Sequence, residues 1–187
     1  LDYRVGDLIQ KYSEGKPVLV FCQTQKGTIN CGKQLINDIS SNKISILRIN
    51  SSQEKLKLES LSVRISNKSL SAMVKLGIGF HNAGLSLSDR QLVEEGFKAQ
   101  LIKVVCTTST LAQGVNLPAR LVIIKSTNCY RGPKLGYTEY NKMEIDQMVG
   151  RAGRPQYDTK GIAIIMTEKE KVNQYNELSS TMIESHL

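Results

Sequence analysis

The chain is poor in the groups that build metal sites. Its four cysteines, Cys22, Cys31, Cys106 and Cys129, include no C-x-x-C pair, and only His81 and His186 could complete a ligand set, which speaks against zinc. Cys22 and Cys106 sit in or beside apolar runs, so the expectation is a reduced intracellular protein with buried thiols. Nowhere do 18 apolar residues run together, and no membrane span is expected. The chain opens at Leu1-Asp2-Tyr3 with neither Met nor a charged and then apolar leader, which predicts a piece of a longer protein. It also lacks a G-x-x-x-x-G-K-[ST] loop and a D-E-x-H box, so it carries no phosphate cradle of its own and no matching acids for Mg²⁺. No internal repeat and no internal domain boundary is visible.

What is present reads as one globular domain. The 187 residues are 40% hydrophobic and 22% charged, enough to bury a core. The 25 Lys and Arg outnumber 17 acids, a formal charge of +8 that weakly favours a polyanionic partner. Five short apolar runs bounded by polar or turn residues predict buried parallel strands: Pro17 to Cys22, Leu76 to His81, Ile102 to Cys106, Leu121 to Ile124 and Ile162 to Met166. Helical spacing at Ile29, Leu35, Ile36 and Ile39, and again at Leu92, Val93 and Phe97 behind a Ser88/Gln91 capping-box spacing, places helices between them. Strands alternating with helices imply a mainly parallel sheet covered on both faces. Two stretches break the alternation. Residues 40–67, rich in Ser, Asn, Lys and Glu, predict an exposed helix or variable insertion, and 127–141, with Gly132, Pro133 and Gly136 among tyrosines, predicts a protruding β-hairpin.

Three loops carry candidate chemistry, and ligands in open α/β sheets collect at the carboxyl ends of strands, so all three are expected on one edge. Gln147 to Pro155 sets Arg151 and Arg154 three apart among small residues, a pattern suited to a terminal phosphate; read alone it could equally be a basic turn. Thr107 to Pro118 offers hydroxyls at Thr108 and Ser109 for sugar-phosphate, with Gly114 and Asn116 within reach of a ribose, against a hydroxyl-rich turn as the plainer reading. Phe21 to Gly27 holds Thr24, either a phosphate contact or a simple helix cap.

The segments F-C-Q-T, F-H-N-A-G-L, T-S-T-L-A-Q-G-V-N-L-P-A and Q-M-V-G-R-A-G-R-P-Q-Y-D resemble, in order and spacing, the second RecA-like domain of superfamily two helicases of the Ski-like DExH class. The resemblance runs from about Pro17 to Met166 and is nearest to the meiotic crossover DNA helicases of Mer/HFM type, with spliceosomal and archaeal repair branches as neighbours.

It implies an α/β, RecA-like (P-loop NTPase-type) three-layer fold with a protruding hairpin, spanning 1–187 as one helicase C-terminal domain. It implies an ATP-dependent DNA helicase moving 3′ to 5′ and acting in meiotic recombination in the nucleus, with ATP and Mg²⁺ held mainly by a preceding RecA-like domain of the same polypeptide. Partners would be single-stranded and duplex DNA, with RNA the alternative, and no membrane. Arg151 and Arg154 match the arginine-finger positions and Gln147 the adjoining glutamine; Gly114 and Asn116 match the motif coupling nucleotide to strand movement. Thr24, Thr108 and Ser109 match positions holding strand phosphates, while His81, Asn82 and Arg90 fall in the motif between them. His81 could as well be a packing residue, and Tyr130 and Tyr137 of a strand-separating hairpin at 127–141 either stack on bases or anchor the hairpin to the core. An RNA helicase of the same class and a non-catalytic scaffold remain as alternatives. A small phosphatase or transferase would need a nucleophile or phosphate loop that the sequence does not offer.

Overall fold

The computed structural model describes residues 2–154, 161–167 and 181–185. Its first half runs α1 (Asp2–Tyr12), β1 (Val18–Phe21), α2 (Gln25–Ser40), α3 (Ser52–Val63), α4 (Lys68–Val74), β2 (Ile78–His81), α5 (Leu87–Lys98) and β3 (Val104–Thr107). The second runs α6 (Thr110–Gly114), β4 (Leu121–Ile124), β5 (Asn128–Tyr130), β6 (Tyr137–Glu139), α7 (Lys142–Val149), β7 (Ile162–Thr167) and β8 (Thr181–Ser185).

β1 to β4 are buried along their whole length, because continuous apolar strands need cover on both faces. They join β7 and β8 in one parallel sheet of order β2-β3-β1-β4-β7-β8, in register at Val20↔Cys106 and Val20↔Ile123. The five expected strands are all there; β8 is a sixth. α2 turns Thr28, Cys31, Gly32 and Leu35 to the core at helical spacing. All four cysteines are buried free thiols. Its hydrogen bond with Cys31, together with burial, pushes the Cys106 thiol well above its ordinary value and keeps it protonated.

Residues 40–67 are ordered around α3. Ile44, Leu47, Leu58, Leu61 and Ile65 are buried, while Leu56 and Val63 are 64% and 79% exposed. Only one side of α3 rests on the domain, which explains the loose apolar spacing. The α5 cap differs from expectation: Ser86, not Ser88, accepts the Asp89 N–H at 3.1 Å, and Ser88 and Gln91 are exposed. The reason is Asp89, whose carboxylate accepts the Ser66 N–H, the Ser66 hydroxyl and the Asn67 N–H, each at 2.9 Å, so the first turn is fixed against the α3–α4 connection.

β5 and β6 pair antiparallel as a hairpin, Cys129 opposite Thr138 and Tyr130 opposite Tyr137. Cys129 and Tyr140 are its buried anchors.

Candidate nucleic-acid and nucleotide interface

The expectation of a single functional edge is not met. At the carboxyl edge, the loops after β1 and β3 and the hairpin enclose a cleft of about 780 Å³ lined by Thr24, Thr108, Ser109, Tyr130, Arg131 and Tyr137 among others. The arginine turn, Gly150 to Arg154, lies at the opposite, amino edge, because it follows α7 rather than a strand. There Ala119, two residues before β4, bridges to Ala152: the Ala119 N–H donates to Arg151 O at 2.8 Å and the Gly153 N–H to Ala119 O at 2.6 Å. The backbone turns at Gly153 with φ of +98°, a conformation that favours glycine, and a Cβ there would also crowd Gly161 N at 3.3 Å.

The segment 107–119 spans both edges. Thr107 ends β3 at the cleft, α6 carries the chain across, and Asn116 to Ala119 reach the arginine turn. Arg151 Nη1 donates to Asn116 Oδ1 at 3.1 Å and its Nη2 to the Ala112 carbonyl. Gly114 and Asn116 are exposed beside it, and Gln147 is half-buried on α7 one turn earlier. Arg154 differs: it is only 8% exposed, with Nη1 3.5 Å from Gln100 Oε1.

In the cleft, Thr24 caps α2, its Oγ1 accepting the Gly27 N–H at 2.9 Å, which leaves the hydroxyl proton free to donate. Thr108 and Thr110 hydroxyls lie 3.0 Å apart, and Ser109 makes no capping bond. Tyr130 and Tyr137 are 45% and 58% exposed with ring centroids 5.4 Å apart, so neither anchors the hairpin; Tyr140 does. The group between the two loops faces inward. Asn82 donates to Thr28 Oγ1 at 3.0 Å and accepts the Gly84 N–H at 2.8 Å. His81 Nε2 lies 2.8 Å from Glu94 Oε2, yet burial outweighs that carboxylate and lowers the imidazole below its ordinary value. Arg90, on the first turns of α5, is half-buried, with Nε enclosed and unbonded among the described residues.

Sequence reasoning missed Glu144. Its carboxylate Oε1 accepts the Asn141 N–H at 2.9 Å while Asn141 Oδ1 accepts the Glu144 N–H at 2.8 Å, a capping box legible as N-K-M-E at the start of α7. The same oxygen takes the Arg131 Nη2 at 2.6 Å. Burial opposes its charge, but Arg131 and the Asn141 N–H together hold the Glu144 carboxyl below its ordinary value.

A parallel sheet clad in helices is the architecture of a RecA-like α/β domain. Residues 58–156 match the helicase conserved C-terminal domain family, more than half of the chain, and the chain belongs to that family. It is 41% identical over 98% of its length to the ATP-dependent DNA helicase homolog MER3 of Arabidopsis thaliana, covering 16% of that protein. It is 42% identical over 95% to the probable ATP-dependent DNA helicase HFM1 of Mus musculus, covering 12%, and 41% identical over 97% to the ATP-dependent DNA helicase MER3 of Saccharomyces cerevisiae, covering 14%. The chain thus spans less than a fifth of the length of these relatives.

Proposed function

We propose that this chain is the second motor domain of an ATP-dependent DNA helicase that acts in meiotic recombination in the nucleus. A preceding RecA-like domain holds the phosphates and Mg²⁺, and this domain closes on it. The observation that carries the reading is the 107–119 segment, which joins the hydroxyl-lined cleft at one edge to Asn116 and Arg151 at the other. Two guanidinium groups and the Gln147 amide suit polyphosphate oxygens, whereas among the described residues no cluster of His, Cys, Asp or Glu suits a metal ion. When bound, ATP with Mg²⁺ supplies the phosphoryl group whose hydrolysis drives movement.

On this reading Arg151 leaves Asn116 and Ala112 as the domains close and takes up charge developing on the transferred group, as Arg154 must also do by leaving its buried position. Exchange of the Asn116 bond for phosphate would release or tighten the 107–119 segment. That shifts Thr108 and Ser109 relative to Thr24 and moves the strand one way, 3′ to 5′. Tyr130 and Tyr137 would meet the duplex at the mouth of the cleft, where stacking favours bases over water.

The test is ATPase of the intact protein with single-stranded DNA and RNA in parallel. Stimulation by DNA is expected. Stimulation by RNA alone would move the protein to RNA processing, and no ATPase with either strand would favour a scaffold.

A further inference from the structure

A two-stranded hairpin with three paired residues is marginal on its own. Something must hold its angle. At the base, Gln23 Nε2 donates to Ser126 Oγ at 3.0 Å, the Tyr130 N–H approaches Gln23 O at 3.3 Å, and the Tyr140 N–H donates to Thr127 O at 2.8 Å. These fix where the hairpin starts. They do not fix its outer half, Arg131 to Gly136, which is largely exposed.

The outer half is held from one direction only among the described residues. Arg131, which follows Tyr130, donates through Nε to Thr138 Oγ1 across the hairpin and through Nη2 to Glu144 Oε1. Glu144 is one-tenth exposed and is already committed to the first turn of α7 by the capping box. A charged hydrogen bond to a shielded carboxylate is stronger and better directed than a neutral one. Beyond the base, which the loop after β1 holds through Gln23, the hairpin is therefore fastened to α7. α7 has 8 residues, so about 12 Å separates its ends. Gln147 stands one turn past Glu144, and Arg151 follows the last turn at the amino edge.

We infer that Glu144 is a positioning residue that fixes the hairpin to the helix that bears Gln147 and leads into Arg151, so that displacement of α7 at the nucleotide edge becomes displacement of the hairpin at the cleft. This connection is separate from the 107–119 segment. That segment reaches Thr108 and Ser109, which face the strand, whereas the Glu144 link reaches Tyr130 and Tyr137, which face the duplex. The inference rests on the proposed motor reading and assigns duplex opening and strand movement to two different mechanical routes.

Glu144→Gln in the intact protein is the discriminating change. Glutamine serves a capping box as glutamate does, so α7 keeps its first turn, while the charged bond to Arg131 is lost. DNA-stimulated ATPase is expected within twofold of wild type, and duplex unwinding is expected to fall about tenfold, the scale of one charged hydrogen bond. Arg131→Met is expected to impair unwinding too, and adding Glu144→Gln to it should lower unwinding by less than a further twofold, because the two side chains act as one contact. Hydrogen exchange across 128–139 should quicken in Glu144→Gln.

Unwinding and ATPase falling together in Glu144→Gln would show a merely structural role and overturn the inference. So would unchanged unwinding, or additive losses in the double variant. A wild type that hydrolyses ATP on DNA but opens no duplex would remove the motor reading on which the inference stands, and is distinguishable because it appears before any substitution.

Discussion

Asn82→Ala separates a strand contact from a structural tie. Asn82 is 4% exposed; its amide donates to Thr28 Oγ1 at 3.0 Å and reaches Gln25 O at 3.4 Å, and its carbonyl accepts the Gly84 N–H at 2.8 Å. It thereby binds the loop after β2 to the first turn of α2, the helix Thr24 caps. Truncation loses two good hydrogen bonds and a long one, at about 1 kcal/mol each. Water can reach exposed Gly84 but not buried Thr28, so roughly 2–3 kcal/mol is the expected loss of stability. For a domain of this size that lowers the midpoint of thermal unfolding by roughly 5–10 °C. Circular dichroism melting of the 187-residue chain reads it directly. Affinity for single-stranded DNA, measured well below the melting range, should change by less than about threefold, less than the loss of a direct contact would give. A melting point within 1 °C of wild type together with a tenfold loss of affinity would refute the reasoning and make Asn82 a strand contact.

His81 gives a pH dependence whose sign is fixed by its surroundings. Its folded value is lowered, chiefly by burial, so the unfolded chain binds the extra proton first as pH falls. Stability held above the ordinary imidazole value, about 6.5, should therefore be lost below it, and His81→Gln should remove that loss; stabilisation on acidification would mean the Glu94 ion pair dominates. Tyr130→Ala and Tyr137→Ala remove exposed rings and should move the melting point little, while affinity for single-stranded or forked DNA falls by about 1–3 kcal/mol per lost stack. A large melting shift with unchanged affinity would return both rings to an anchoring role.

The sheet was readable because its strands are buried on both faces: Val18–Phe21 and Leu121–Ile124 are short, unbroken apolar runs rich in β-branched residues and bounded by polar or turn residues. β8 was not readable, since T-M-I-E-S carries no such run. α1 repeats Val5, Leu8, Ile9 and Tyr12 at helical spacing, a signal that a strand-led reading passes over. The hairpin was marked by its glycines and proline, but which tyrosine anchors it was a matter of tertiary packing: Tyr140 is buried and its two neighbours are not. The residues proposed for the site were legible by type, and their division between two edges was not. Assigning the arginine turn to the carboxyl edge treated it as a loop after a strand, whereas it follows α7 and pairs with Ala119. Ser88 lost the capping position to Ser86 because Asp89 is held from 23 residues away by Ser66, a constraint no local pattern contains.

The central claim is that Arg151, joined through Asn116 to the segment lining the cleft, completes an ATP site shared with a preceding domain. The most direct measurement is DNA-stimulated ATPase of the intact protein with Arg151→Ala, beside single-stranded DNA binding without nucleotide. By analogy with arginine fingers elsewhere, kcat should fall by about three orders of magnitude or more, with DNA affinity within about threefold of wild type. Near-normal kcat would contradict the account.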